Sequence, residues 1–488
     1  MPHRTRLGRR LLGALRRGIG EKRLARYRRR LDALALRLAE RTVRLVRRVR
    51  GRPSLRLSSV VCIDENSGAR VVYGTVDPGS RSLEHLQALD ASGRDRLTEA
   101  AMHRWPNTVR SPGASPRCER FAMRIEERAV TFVRATDARG RACRRRIPVA
   151  STGAAFTRIR DLLEPLRRVS DKRCLHERVT GPAIERVMAS RTASRGGAVS
   201  VWNAQHQHDH PRTTLIIPIH GRHDFIEHQL ARFANDAELL DQDILYVIDD
   251  PRLHPAVIAD CERWSHLYRV PFRTLCLHEN LGYAGANNVA AAIARGRYLL
   301  LLNSDVMPIE PGWLGRMHDS AGDRIDDALV GARLLYDDGT VQHDGMRFFR
   351  SPFHEGLWLN LHPGKGLPES LFPTAPQALS REAVTAACLL LSRKRWDQLG
   401  GLDERYVLGD FEDSDLCLKA RAAGLPVLLC TNARLQHLER QSQSLDGADA
   451  WREELTWYNG WQHATRWQDE LTELDTRRAA LATDPESS

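Results

Sequence analysis

The chain has 488 residues, 42% hydrophobic and 28% charged, which suits a soluble protein of two or three domains and excludes a wholly disordered chain. Its net charge of +13 is concentrated: residues 1–52 hold eighteen Arg plus Lys22 against Glu21, Asp32 and Glu40, a balance of +16 that leaves the remainder near −3. Nine scattered cysteines with no C-x-x-C pair and no Cys/His zinc spacing argue for a reducing compartment, and no run approaches the roughly twenty apolar residues of a membrane span.

Residues 1–54 read as a basic amphipathic helical segment. Leu24, Leu31, Leu38 and Leu45 recur every seven residues, with Tyr27, Leu34, Val46 and Val49 near the same stripe and arginines on the other face. Three readings stand side by side: a helix on anionic lipid, a short coiled coil, and a solvated helix packed on its own domain. Nucleic acid is not an expected partner, because the rest of the chain is near neutral and the segment lacks interleaved aromatics for stacking. Without a continuous apolar core this start is no secretory signal, so the expected location is cytoplasmic, peripheral on the inner face of the plasma membrane.

Residues 55–150 contain short β-branched or alternating runs ("VVCI", "ARVVYGTV", "FAMRI", "AVTFVRATDARG") between turn residues, the pattern of a small antiparallel β-sandwich. It reads as a spacer, or as a glycan- or partner-binding module. Residues 151–210 read as a helical connector ending in "QHQHDH", where His206, His208 and His210 form a tract more often solvated than metal-bound. From 211 to 445 the rhythm is strand, helix, strand, helix. "TTLIIPI" (213–219), "DILYVIDD" (243–250), "FRTLCL" (272–277) and "YLLLL" (298–302) are strands, and "GANNVAAAIARG" (285–296) is a helix closed by Gly296. That alternation means a mostly parallel sheet with helices on its faces. Residues 446–488 form an acidic helical tail bearing Trp451, Trp457, Trp461 and Trp467, suited to core packing or an oligomer contact.

Acids gather where such a sheet binds ligands, at the C-terminal ends of its strands. "VIDD" ends in Asp249 and Asp250, "LLNSD" ends in Asp305, and "LGDFEDSDLCLKARAAG" carries Asp410, Glu412, Asp413 and Asp415. "ARLQHLERQSQS" then places His437 beyond a strand-like run. Carboxylates there suit a hard divalent cation sharing phosphate oxygens with a substrate, and an acid off the metal suits a general base. Each acid also has a structural reading: Asp410 and Asp413 fit a helix N-cap with its acidic partner, and Asp249-Asp250-Pro251 fits a turn.

In order and spacing, residues 213–440 resemble the family 2 glycosyltransferases, in the bacterial rhamnosyltransferase-like and O-antigen branch. The matching stretches are "LIIPIHGRHDFIEHQL", "VIDD", "HENLGYAGANNVAAAIARGRYLLLLNSDV", "LLYDDGTVQHDGM", "HPGKGLP", "TAACLLLSRKRWDQLGGLDERY", "FEDSDLCLKARAAG" and "LQH". The resemblance implies an α/β, GT-A nucleotide-diphospho-sugar transferase fold, a mostly parallel mixed sheet with flanking helices. It also implies roles. Asp249 would accept hydrogen bonds from the donor's base, above a pocket floor at Pro218, with Asn280 and Gly282 lining the nucleotide. Asn303, Ser304 and Asp305 occupy the D-x-D position, Asn303 standing where the first acid usually is. Asp305 and His437 would hold Mg2+ or Mn2+, and Asp413 would be the catalytic base. The activity implied is inverting, metal-dependent transfer of a sugar from a nucleotide-diphospho-sugar donor to a glycan or lipid-linked acceptor, in bacterial surface polysaccharide synthesis. With no membrane channel and no Q-x-x-R-W segment after the acidic motif, transfer of one or a few sugars per encounter is expected. The alternative is a non-catalytic glycan-binding or scaffold protein that keeps the fold, for which Asn303 is the footing.

Overall fold

The computed structural model describes residues 53–78, 82–96, 101–106, 118–193 apart from 168 and 170, 198–203, 210–438 and 450–483. The amphipathic pattern of residues 1–52 and the side chains of His206 and His208 lie outside them. The chain falls into two compact units, residues 1–187 and 188–488.

In the first unit, strands β1 (Ser54–Asp64), β2 (Ala69–Asp77), β3 (Leu83–Asp90), β4 (Met102–Pro106), β5 (Glu119–Ile125), β6 (Val130–Asp137) and β7 (Ala142–Arg146) form two antiparallel sheets, β1-β2-β5-β4 and β3-β6-β7. Val72, Phe121 and Met123 of one sheet share a core with Leu86, Val133 and Ala135 of the other. This is the sandwich that the alternating runs predict, because inward residues of both sheets bury each other. Helix α1 (Ala155–Leu163) packs on it, its Leu162 carbonyl accepting from the buried Tyr73 hydroxyl at 2.7 Å. Helix α2 (Gly181–Ala193) contains the division between the units.

The second unit is built on one large mixed sheet. Its strands are β8 (Ala198–Asn203), β9 (Thr213–Ile219), β10 (Asp243–Ile248), β11 (Phe272–Leu277), β12 (Tyr298–Leu302), β13 (Val306–Pro308), β14 (Leu329–Leu335), β15 (Val341–His343), β18 (Leu379–Ser380), β19 (Cys388–Ser392) and β20 (Val427–His437). The path is β13-β20-β14-β19-β12-β9-β10-β11-β8, with β16 (Arg347–Arg350) and β17 (Trp358–Leu361) forming a separate hairpin. The expectation of a helical connector up to residue 210 is corrected by β8, which pairs antiparallel with β11 as the sheet's edge. "AVSVWN" is an alternating run that polar linker residues on both sides disguise.

Strands β11, β10, β9 and β12 are mutually parallel and stand in that spatial order, so chain order reverses direction at β9. Such a reversal opens a crevice at the strands' carboxyl ends. Leu215, Ile217 and Ile219 of β9 share a core with helices α3 (Asp224–Phe233), α4 (His254–Tyr268) and α6 (Trp313–Ser320); Ile216, also fully buried, is outside that cluster, on the opposite face. Helix α5 (Gly282–Ile293) lies between β11 and β12 in the chain, and its Gly282 has φ +72°. Burial on both faces is why these strands read as largely apolar runs. Pro218, within a central strand, is tolerated because β12 pairs with β9 only as far as Ile216, so no strand on that side needs its missing N–H. Helices α7 (Arg393–Leu399), α8 (Glu412–Ala422), α9 (Ala450–Arg466) and α10 (Gln468–Thr483) complete the unit, with Tyr458, Trp461, Trp467 and Leu471 of the tail buried in its core.

Candidate active site

Strand β12, fixed by burial, ends at Leu302 and delivers the turn Asn303-Ser304-Asp305 at the crevice edge. The turn is held from three sides. Asn303 N–H donates to Ala387 O (2.9 Å), while Asn303 O accepts from Val306 N (3.2 Å) and from Gln229 Nε2 of α3 (3.0 Å). Strand β13 then pairs antiparallel with the end of β20, Val306 opposite His437, and Leu438 N donates to Asp305 O at 3.1 Å. That register brings His437 Nε2 within 3.4 Å of Asp305 Oδ1, and both side chains are buried. Two atoms bound to one hard cation at about 2.1 Å and at right angles lie about 3 Å apart, so this pair fits a shared divalent ion. His437 Nδ1 and Asn303 Oδ1 are also buried with no hydrogen-bond partner among the described residues, which marks polar capacity unused by the fold. Arg222, beyond the end of β9, pairs with Asp224 and lies close enough to Asp305 for that charge to raise its pKa further.

The second cluster surrounds Asp249, just past β10. Its Oδ1 accepts from Leu281 N at 2.5 Å, while Asn280 Oδ1 accepts from Gly282 N at 2.8 Å to start α5. Burial pushes the Asp249 carboxyl up to about 8, against the opposing effect of the Leu281 and Gly282 amides. Asp250 behaves in the opposite way: burial would raise it, but its hydrogen bonds and ion pair with Arg252 hold it low, at about 2. Two aspartates adjacent in sequence thus differ in charge at neutral pH. The turn reading describes Asp250, which caps the residues after it through Arg252 N (3.1 Å), but not Asp249. Arg191 of α2 braces the loop from behind, donating to Asn280 O and lying 3.6 Å from Glu279.

The third cluster opens α8. The expected side-chain cap is absent: the cap position is Phe411, at φ +75°, with no side-chain hydrogen bond, and Asp410 instead accepts from Thr456 Oγ1 at 2.7 Å. The acids here are therefore not needed to start the helix by capping. Asp413 Oδ1 accepts from Ser414 N (2.7 Å), and Oδ2 from Ala386 N (3.3 Å). Burial raises the Asp413 carboxyl above the usual range, and burial plus the Asp413 charge raises Glu412 further; Glu412 Oε2 has no partner among the described residues. The segment Thr385–Ala387 joins this cluster to the first, since Ala386 N meets Asp413 while Ala387 O meets Asn303.

Residues 214–383 match the family model described as Glycosyl transferase family 2. The chain carries a family 2 glycosyltransferase domain. Among curated proteins, the O-antigen biosynthesis protein RfbC of Myxococcus xanthus is 31% identical over 249 residues, 49% of this chain and 18% of that protein. An uncharacterized protein, y4gI, of Sinorhizobium fredii is 38% identical over 161 residues, 33% of this chain and 17% of that one. The aligned regions are thus less than a fifth of either relative. Among solved structures, GalNAc-T7 with UDP, GalNAc and Mn2+ aligns with a TM-score of 0.36 at 15% identity, over 46% of this chain and 42% of that one. The mannosyltransferase PcManGT of Pyrobaculum calidifontis with GDP-Man and Mn2+ aligns with a TM-score of 0.33 at 14% identity, over 67% and 93%.

The α/β reading of this glycosyltransferase domain holds as a mixed sheet with flanking helices, but the expectation of a mostly parallel sheet is corrected: four of its ten described strand pairings are parallel, because β8, β13, β15, β18 and β19 all pair antiparallel with their neighbours. Asp413 and His437 lie beyond the residues matched by the family model. Two partners found here, Arg191 and the Thr385 hydroxyl, had no signal in the sequence. Arg191 comes from what reads as a connector. Thr385 hydrogen-bonds Asp413. His343, fully buried, accepts from Thr385 N (3.2 Å) and lies 3.0 Å from His362 Nδ1. Its neighbour Asp344 is paired with Arg333 and Arg381 at 2.7 and 2.8 Å, and His354 hydrogen-bonds Ser351.

Proposed function

We propose that the protein is an inverting, metal-dependent glycosyltransferase. It would move a sugar from a nucleotide-diphospho-sugar to a glycan or lipid-linked acceptor in bacterial surface polysaccharide synthesis. The observation that carries this is the meeting of Asp305 and His437, 3.4 Å apart at the crevice edge, with half-buried Asp413 tied to the same Thr385–Ala387 segment.

In this reading Asp249, Asn280 and Gly282 line the nucleotide, over Pro218 at the open end of β9. Mg2+ or Mn2+ at Asp305 and His437 would supply positive charge beside the donor's diphosphate, the leaving group. Asp413 takes the proton from the acceptor hydroxyl as its oxygen attacks the anomeric carbon and the bond to the diphosphate breaks on the opposite face. One such displacement inverts the anomeric configuration. The raised pKa suits this role, since a base works best when its pKa approaches the operating pH. The amides of Ser414 and Ala386 aim the carboxylate. The basic segment 1–52 would rest on anionic lipid, bringing the site to a membrane-borne acceptor.

A second reading, a non-catalytic scaffold or glycan-binding protein, is favoured by Asn303, which leaves the D-x-D position one charge short. Both are tested by assaying UDP-, dTDP- and GDP-sugars with and without Mn2+ or Mg2+, for wild type and Asp413→Asn. The enzyme reading expects metal-dependent turnover that falls roughly 10²–10⁴-fold in the variant. Wild type indistinguishable from the variant across the whole panel supports the scaffold.

A further inference from the structure

The turn that launches Asp413 is strained. Leu408, Asp410 and Phe411 have φ of 64°, 76° and 75°, three of only five non-glycine residues at positive φ among the described residues. Conformations of this kind cost of order 1–3 kcal/mol each and persist only where surrounding structure imposes them.

Here the imposing structure is one face of α9, beyond the residues matched by the family model. Asn459, fully buried, is bound to the turn at both ends of its amide. Its Oδ1 accepts from Val407 N (3.1 Å), and its Nδ2 donates to Val407 O (3.1 Å) and Gly409 O (2.6 Å). One turn away on either side, Thr456 Oγ1 donates to Asp410 Oδ2 (2.7 Å), and His463 Nε2 lies 3.2 Å from Ser414 Oγ with its ring 5.3 Å from that of Phe411. Gly460 lets the helix come close: a Cβ there would lie 3.1 Å from Phe411 Cζ. Positions 456, 459, 460 and 463 are spaced i, i+3, i+4, i+7, a single helical stripe. On its other side the turn touches the nucleotide loop, with Tyr283 N donating to Leu408 O at 3.0 Å.

We propose that this stripe, centred on Asn459, is a positioning element that holds the turn 407–411 in its strained form, fixes the direction of Asp413, and links it to the donor loop at Gly282-Tyr283. It rests on the reading of Asp413 as the base. Asn459 touches neither donor nor acceptor in this scheme and acts through backbone alone.

The test uses the full chain with three substitutions: Asn459→Leu, similar in volume and without hydrogen bonds; Thr456→Val, at an exposed position that leaves folding intact; and Asn459→Asp, which keeps only the acceptor. A misplacement near 1 Å costs on the order of 10²-fold, so Asn459→Leu lowers kcat by about that factor, with Asn459→Asp and Thr456→Val in between. Donor KM and metal affinity stay at wild-type values, the split expected when only the reacting geometry is lost. Amide hydrogen exchange at Asp413–Asp415 speeds up in the same order, a readout independent of turnover. Unchanged kcat and exchange in Asn459→Leu and Thr456→Val overturn the proposal, as does a kcat loss matched by an equal loss of donor binding. Were Asn459→Leu not to fold, Thr456→Val decides by the same criteria. A wild type that transfers no sugar from any donor instead overturns the enzyme reading, and this proposal with it.

Discussion

Gly282 begins α5 at φ +72°, and a Cβ added there would meet Leu408 Cα at 3.1 Å and Leu408 N at 3.4 Å. Replacing it by alanine imposes two penalties. The left-handed conformation costs about 1–2 kcal/mol for a residue with a Cβ. The contact is with backbone, which cannot rotate away, and adds about 1–2 kcal/mol more, within the usual range for overpacking. Gly339 supplies the control, since its φ is +80° but nothing lies within 4 Å of an added Cβ. Gly339→Ala should therefore carry the first penalty alone. At about 2 °C per kcal/mol for a unit of this size, scanning calorimetry should find Gly282→Ala lowered by about 4–8 °C and Gly339→Ala by about 2–4 °C. Gly282→Ala should also lose turnover, because Leu408 belongs to the turn that leads into Asp413, whereas Gly339→Ala should not. Equal midpoint shifts for the two variants would refute the contact between the donor loop and the 407–411 turn.

Three other outcomes are expected. Asp249, raised to about 8, keeps its proton in the fold where the unfolded chain has lost it, so this group makes stability fall from about pH 4 to about pH 8 and level off above. Asp249→Asn should remove that slope while its remaining oxygen still accepts from Leu281; parallel stability–pH curves for the two proteins would contradict the buried proton. His437→Ala should raise the Mn2+ concentration for half-maximal donor binding by roughly tenfold or more, since losing even a group behind a ligand costs 10–100-fold; isothermal titration reads it, and an unchanged midpoint removes His437 from the metal site. Deleting residues 1–52 should abolish low-salt co-sedimentation with phosphatidylserine-containing vesicles, and undiminished sedimentation rules out the tether.

Much of the sheet was legible because its strands are covered on both faces. "TTLIIPI", "FRTLCL" and "YLLLL" are written as largely apolar runs, and their buried polar exceptions are each partnered, Thr213 with His318, Thr214 and Arg273 with Asp243, and Thr274 with Cys261. Boundaries set by unusual backbone were less legible. The helix expected from residue 285 starts at Gly282, because a glycine at positive φ looks like loop in sequence. The cap expected at Asp410 is displaced by Phe411, because tertiary contacts from α9 override local propensity there. Pairings across long separations left no mark at all. Nothing local to Asn280 announces Arg191, and nothing local to Val407 announces Asn459. The acidic cluster was visible as composition; which acids are buried, which are ionised and which merely start a turn became clear only from their partners.

Strand β20 is inserted between β13 and β14, both made more than ninety residues earlier. On the ribosome, which delivers the chain from its N-terminus, those two strands must wait with unsatisfied edges until residues 427–437 emerge. The histidine that meets Asp305 arrives on that same final strand, so completing the sheet and bringing Asp305 and His437 together are one event. A nascent or prematurely terminated chain would own the crevice at β9 before it owned the side-chain pair at its edge.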